Sequence, residues 1–211
     1  FGTALSTSMF EPSATNAQAR KYREMAAKLF NHAVTENAMK WSEMEPEQGQ
    51  TNYAALDSMA RWCASNQIPL RGHCLFWGCE VPDWSKSLSD EQLLQAMEQR
   101  ISRVMSRYAS FVSEFDALNE PLHCPYFTER FGEGIVKKIF NWTRDASPMA
   151  GRYINDYNIL SGGEAEAYAD FIQLHLAAGA GISGIGLQGH FDGEADPFHV
   201  ARALNRLAEL K

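Results

Sequence analysis

The chain has 211 residues, of which 45% are hydrophobic and 21% charged, a composition that supports one sizeable soluble core. A formal net charge of -7 argues against nucleic acid and anionic membrane surfaces as partners, since both select basic patches. No run approaches the ~20 apolar residues that span a bilayer, and no basic segment followed by an apolar one opens the sequence, which begins at Phe1 and reads as a mature product or a fragment.

In chain order, short apolar strands alternate with longer amphipathic helices through six repeats, the pattern of a parallel sheet with crossover helices. The first strand is predicted at Phe1–Leu5 and the second at His32–Thr35, which runs into the polar group Glu36, Asn37 and Lys40. The third, Leu70–Phe76, carries His73 and ends at Trp77. Ser89 with Gln92 three residues on predicts a capping box at the start of the next helix. Arg100, Arg103 and Arg107 recur at helical spacing toward its end and read as a solvated face that suits the helix dipole.

The fourth strand, Val112–Leu118, is followed by Asn119, Glu120 and Pro121, the proline closing the element. The fifth, Arg152–Asp156, delivers Tyr157 and Asn158, and the sixth, Gly184–Gln188, leads to His190. Asp196 before Pro197 predicts an N-cap with proline at the first helical position of a last helix that reaches about Leu210.

About 35 residues per unit projects to the size of a (β/α)8, or TIM, barrel. The reading is therefore a single incomplete barrel domain over residues 1–211, with about the first six βα units present. A doubly wound sheet would gather its ligand at one crevice; here the polar groups follow five successive strands, on the face where barrels keep their chemistry. Glu120 is the strongest signal, because an apolar strand rarely ends on a carboxylate unless it is paired or functional. A carboxylic acid in a partly dry cleft can serve as a proton donor, and glycoside cleavage is its natural reaction.

Asn119 beside it can bind a sugar hydroxyl; Glu36, Asn37 and Lys40 offer donors and acceptors for a polyol; Trp77, Trp84 and Tyr157 offer flat faces for pyranose rings. His73 and His190 read as orienting the carboxylate, and Trp62 and Trp142 as core. The spacing of His, Cys and acidic residues is not that of a metal site, and there is no nucleophile elbow, phosphate loop or dinucleotide pattern. No metal or cofactor is expected; a metal held by His73, His123 and His190 is the weaker alternative. Of the four cysteines, Cys74 and Cys79 are close enough in sequence for a bridge, or are buried free thiols.

Five segments, Thr35-Glu36-Asn37-Ala38-Met39-Lys40-Trp41, Arg71-Gly72-His73 with Phe76-Trp77, Asp116-Ala117-Leu118-Asn119-Glu120, Asn155-Asp156-Tyr157-Asn158 and Gly186-Leu187-Gln188-Gly189-His190, together resemble glycoside hydrolase family 10, the endo-β-1,4-xylanases. The resemblance covers essentially the whole chain. It implies a retaining mechanism with Glu120 as general acid and base and Asn119 on the 2-hydroxyl of the sugar under attack. It implies that Glu36, Asn37 and Lys40 hold the next glycone sugar, that His73, Trp77, Gln188 and His190 line the cleavage subsite, and that Tyr157 meets the leaving-group sugar.

By the same resemblance the substrate is xylan or a xylooligosaccharide and the protein is secreted or extracytoplasmic. The chain departs from the family pattern at Gly78 and Glu80, where His and Gln are usual, and at Phe115, where Trp is usual. The family's nucleophile is a glutamate on the seventh strand in a Thr-Glu-x-Asp setting, so it is expected just past Lys211. Glu164, Glu166, Asp192 and Glu194 read as solvated loop or helix-start acids and not as substitutes. The 211 residues alone are expected not to hydrolyse xylan and to need a further C-terminal segment of the same barrel; binding of xylooligosaccharides without cleavage is the alternative.

Overall fold

The computed structural model describes residues 1–210. Its strands are β1 (Gly2–Ala4), β2 (His32–Val34), β3 (Leu70–Gly72), β4 (Phe76–Trp77), β5 (Val112–Asn119), β6 (Gly151–Asp156) and β7 (Gly184–Leu187). They form one sheet in the order β1-β2-β3-β5-β6-β7, with β4 also beside β5 and every pairing parallel. Helices α1 (Ala17–Leu29), α2 (Trp41–Met44), α3 (Ala54–Ser65), α4 (Asp83–Lys86), α5 (Asp90–Tyr108), α6 (Tyr126–Phe131), α7 (Gly134–Ala146), α8 (Ala165–Ala177) and α9 (Pro197–Ala208) fill the connections and follow the last strand.

The sheet curls around a cavity of about 430 Å³ that residues from all six strand positions line, among them Ala4, Val34, Arg71, Asp116, Asn155 and Leu187. A curled, all-parallel sheet with helices in its crossovers is a partial (β/α) barrel, as the sequence predicts. β1 and β7 are each paired on one side only among the described residues.

Local chemistry sets the element boundaries. Ser89 and Gln92 exchange reciprocal hydrogen bonds at the start of α5, and Asp196 accepts from the Phe198 amide at the start of α9. On α5, Leu93, Met97, Ile101, Val104, Met105 and Tyr108 form one buried stripe. In β5 every residue from Phe115 to Asn119 is buried, as a parallel strand with a neighbour on each side and cover on both faces requires.

Three expectations are corrected. The third strand is not continuous: β3 stops at Gly72, and the Thr35 hydroxyl takes over the backbone, accepting from the His73 amide (2.9 Å) and donating to its carbonyl (3.0 Å). The chain rejoins β5 through the Leu75 amide on the Asp116 carbonyl (2.9 Å) and then β4. Strand ends elsewhere shift by a residue.

Arg100 is not solvated. It is 2% exposed, its Nε donates to the Leu75 carbonyl (2.9 Å) and its Nη2 to those of Met39 (2.6 Å) and Cys74 (3.3 Å). Burial draws its guanidinium down to about 10. It thereby ties the loop after β2 to the one between β3 and β4. Arg103 pairs with the buried Glu45 (2.8 Å) and Arg107 with Asp57, so the row ties α5 to its neighbours. Trp62 and Trp142 pack against the core, as expected.

The disulfide joins Cys79 to Cys124, not to Cys74. Cys74 is 1% exposed within the core and its thiol is pushed well up by burial; the buried Cys63 thiol is pushed up to about 12.

Candidate active site

The carboxyl ends of β2, β3, β4, β5 and β7 surround a cleft of about 450 Å³ lined by Glu36, Asn37, Lys40, His73, Trp77, Glu120, Gln188 and His190, with Asn155 and the apolar Ala4 and Val34. Glu36 (φ 48°) and Glu120 (φ 52°) both sit in the left-handed region just after their strands, a conformation that strains a residue with a side chain and clusters at functional sites. The Glu120 amide is fixed on the Asn155 carbonyl (2.6 Å).

Glu120 is 8% exposed. Its Oε2 accepts from Trp77 Nε1 (2.8 Å) and its Oε1 from Gln188 Nε2 (2.8 Å). Both oxygens are thus held by neutral donors, neither of which is a cation. The orienting groups are Trp77 and Gln188, and this corrects the assignment of that role to His73 and His190. His73 Nδ1 instead meets Asp116 Oδ2 (2.8 Å), and Asp116 is also bound by Arg71, whose guanidinium lies 4.1 Å from the centre of the Tyr153 ring. Burial pulls the Arg71 guanidinium down, but the carboxylates of Asp116 and Glu114 outweigh it and keep the group above its ordinary value. His190 is exposed on the cleft wall.

On the other wall Lys40 lies 4.5 Å from the centre of the Trp77 ring and 3.3 Å from Glu80 Oε1. Asn119 lies beneath the cleft. Its Oδ1 accepts from Asn155 Nδ2 (2.6 Å), while its own buried Nδ2 has no partner among the described residues.

These side chains converge from strands spread over most of the sequence. A family model described as glycosyl hydrolase family 10 matches residues 1–211. The chain belongs to glycosyl hydrolase family 10. It is 34% identical over 204 residues to endo-1,4-beta-xylanase 1 of Arabidopsis thaliana and 31% identical over 212 residues to the anti-sigma-I factor RsgI6 of Acetivibrio thermocellus, covering 94% and 100% of itself. It spans only 22% and 27% of those two relatives. Among solved structures it resembles the intracellular xylanase TsXylA of Thermoanaerobacterium saccharolyticum, in an E146A complex with xylotriose, at 26% identity and a TM-score of 0.86, covering 99% of itself and 69% of that chain.

Not every expected residue of this family 10 chain lines the same cavity. Tyr157 lines an adjoining space of about 650 Å³ with Asn158, Phe191 and the acids Asp192, Glu194 and Asp196; His190 borders both spaces. The Tyr157 ring is stacked on His123, centroids 3.7 Å apart. His123 is held from both ends, Nδ1 on Asp156 Oδ1 (2.6 Å) and Nε2 on Glu164 Oε2 (2.8 Å). Burial pushes the Asp156 carboxyl up, against the Leu122 and Tyr157 amides and His123 that favour its ionised form. Glu164 is therefore a partner of His123 and not a free solvated acid. Trp84 is no sugar platform, because its indole donates to the Glu45 carbonyl (2.8 Å) and packs edge-on against Trp41.

The sequence reading missed Asn155, Asp116 and the Glu80 partner of Lys40. Asp116 and Asn155 did leave a trace, as polar residues inside otherwise apolar strands. Among the described residues no group of three or more His, Cys, Asp or Glu side chains could hold a metal ion.

Proposed function

We propose that the protein is a retaining endo-β-1,4-xylanase that cleaves internal bonds of xylan, with Glu120 as general acid and base. One observation carries the reading: a nearly buried carboxylate at a strand's carboxyl end, fixed by Trp77 and Gln188 on the wall of a cleft lined with polyol-binding groups. Glu120 protonates the glycosidic oxygen as the leaving sugar departs, and then takes a proton from the water that releases the covalent intermediate. The unpartnered Nδ2 of Asn119 supplies a donor for the 2-hydroxyl, a bond that strengthens in the oxocarbenium-like transition state. Glu36, Asn37 and Lys40 hold the next glycone sugar, His73 and His190 complete the cleavage subsite, and Tyr157 receives the leaving sugar.

The nucleophile is proposed to come from a seventh strand position in a segment that follows residue 211. The edges of β1 and β7 that are unpaired among the described residues, and the open cavity between them, offer its place, and a retaining pair needs the second carboxylate about 5 to 5.5 Å from the first. On this reading residues 1–211 alone release no reducing sugar from xylan. The protein with that segment releases it, and Glu120→Gln abolishes the release; hydrolysis by residues 1–211 alone, lost on the same substitution, overturns the placement of the nucleophile.

A second reading is that the chain holds xylooligosaccharides without cutting them, since Glu36, Asn37 and Lys40, the groups proposed for the glycone sugar, all lie on the described loop after β2 and line the cleft. Isothermal titration with xylotriose tests it, and absence of heat ends it. The Cys79–Cys124 disulfide supports action outside the cytoplasm, where such bonds persist. No helix among the described residues is long and apolar enough to cross a membrane.

A further inference from the structure

Two cysteines flank the proposed acid. Cys79 lies two residues past Trp77 and Cys124 four past Glu120, and the two are bonded with their Cα atoms 5.3 Å apart. Trp77–Asn119 is the last pair in the register of β4 with β5, so the disulfide fastens the two segments just where the ladder stops. Cys124 is itself anchored on the acid. Its amide donates to the Glu120 carbonyl (2.7 Å), and its Sγ lies 3.8 Å from Glu120 Oε2, the same oxygen that accepts from Trp77. Gly78, between Trp77 and Cys79, passes so close to Cys124 that an added Cβ would overlap the Cys124 carbonyl. The segment that supplies the donor and the segment that supplies the acceptor are therefore in contact and covalently joined.

We propose that the Cys79–Cys124 disulfide is a positioning element of the cleft, which holds the Trp77 indole on Glu120, and that its reduction by a dithiol lowers turnover. The inference rests on the reading of Glu120 as acid and base. Cys79 is exposed and Cys124 nearly buried, so an external thiolate attacks the Cys79 sulfur and Cys124 is the leaving thiolate. The reductant's second thiol then displaces Cys79 and becomes the cyclic disulfide. Two electrons and two protons pass to the protein, leaving both cysteines as thiols. The released Cys124 thiol is a new donor beside Glu120 Oε2 and competes with the indole for that oxygen, while the Trp77 segment loses its tie beyond the ladder.

The test uses the protein with its seventh-strand segment, assayed on xylotetraose oxidised, reduced with dithiothreitol, and as Cys79→Ser/Cys124→Ser, at a temperature where far-ultraviolet circular dichroism shows each form folded. Reduction is expected to lower kcat about tenfold with little change in KM, in line with the cost of a small misplacement at the reacting centre, and reoxidation to restore it. In Trp77→Phe, which has no indole N–H to position, reduction is expected to change kcat by less than about twofold. Three results overturn the proposal: a reduced, folded enzyme with unchanged kcat; an equal response to reduction in Trp77→Phe; or loss of activity only where the reduced form unfolds. No hydrolysis by the oxidised protein overturns the underlying reading of Glu120 instead.

Discussion

The loops after β2, β4 and β5 form one wall of the cleft and are fixed by buried polar groups and a covalent bond, whereas the loops after β6 and β7 form the other wall with fewer internal ties. On the first wall Arg100 gathers three carbonyls, Thr35 doubles as donor and acceptor for His73, and Cys79–Cys124 closes the edge. On the second, Tyr157 depends on His123 and its two carboxylates, and the stretch from Gly189 to Phe198 is exposed throughout. The difference teaches where precision resides. The wall that carries Glu120 is overdetermined, and the wall beyond it has more freedom to adapt.

Substitutions grade this contrast. Glu120→Gln keeps the shape but removes the transferable proton, and is expected to lower kcat about 10³-fold, within the range for losing a general acid; reducing-sugar assays with the complete protein check it. Arg100→Met strips three buried carbonyls of their donor, and urea unfolding is expected to show a loss of about 3 kcal/mol. Gly78→Ala forces a methyl into the Cys124 carbonyl and is expected to cost about 1 to 3 kcal/mol, with kcat falling alongside.

His123→Ala on the second wall removes the stack under Tyr157 and one donor to Asp156, for an expected loss of about 1 kcal/mol, read in the melting temperature and in weaker binding on the leaving-group side. His190→Ala should melt within about 0.5 kcal/mol of the parent, as exposed positions usually do. If His123 or His190 proved costlier to fold than Arg100, the contrast between the walls would be lost.

Much of this was legible in the residues because the signals are local. Strand ends, the capping box at Ser89 and the proline after Asp196 depend on neighbours within four residues, and the row of polar strand ends needs only the alternation of elements. What escaped depends on distant partners. Arg100 reads as one of a basic row, yet it falls on the turn of α5 between Met97 and Val104, inside the apolar stripe. Its partners come from loops that sequence spacing does not reveal. Cys79 and Cys124 are 45 residues apart and meet only because β4 and β5 are neighbours, whereas nearness in sequence favoured Cys74. The Glu120 clamp likewise needs Trp77 from β4 and Gln188 from the loop after β7, a juxtaposition made by the curl of the sheet and by no local pattern.

The left-handed backbone at Glu36 and Glu120 also sets a local cost at the two acids of the cleft. A left-handed residue with a side chain costs about 1 to 2 kcal/mol, which glycine escapes. Glycine at either position would relieve that cost, so each glutamate is held there against the local preference of its own backbone.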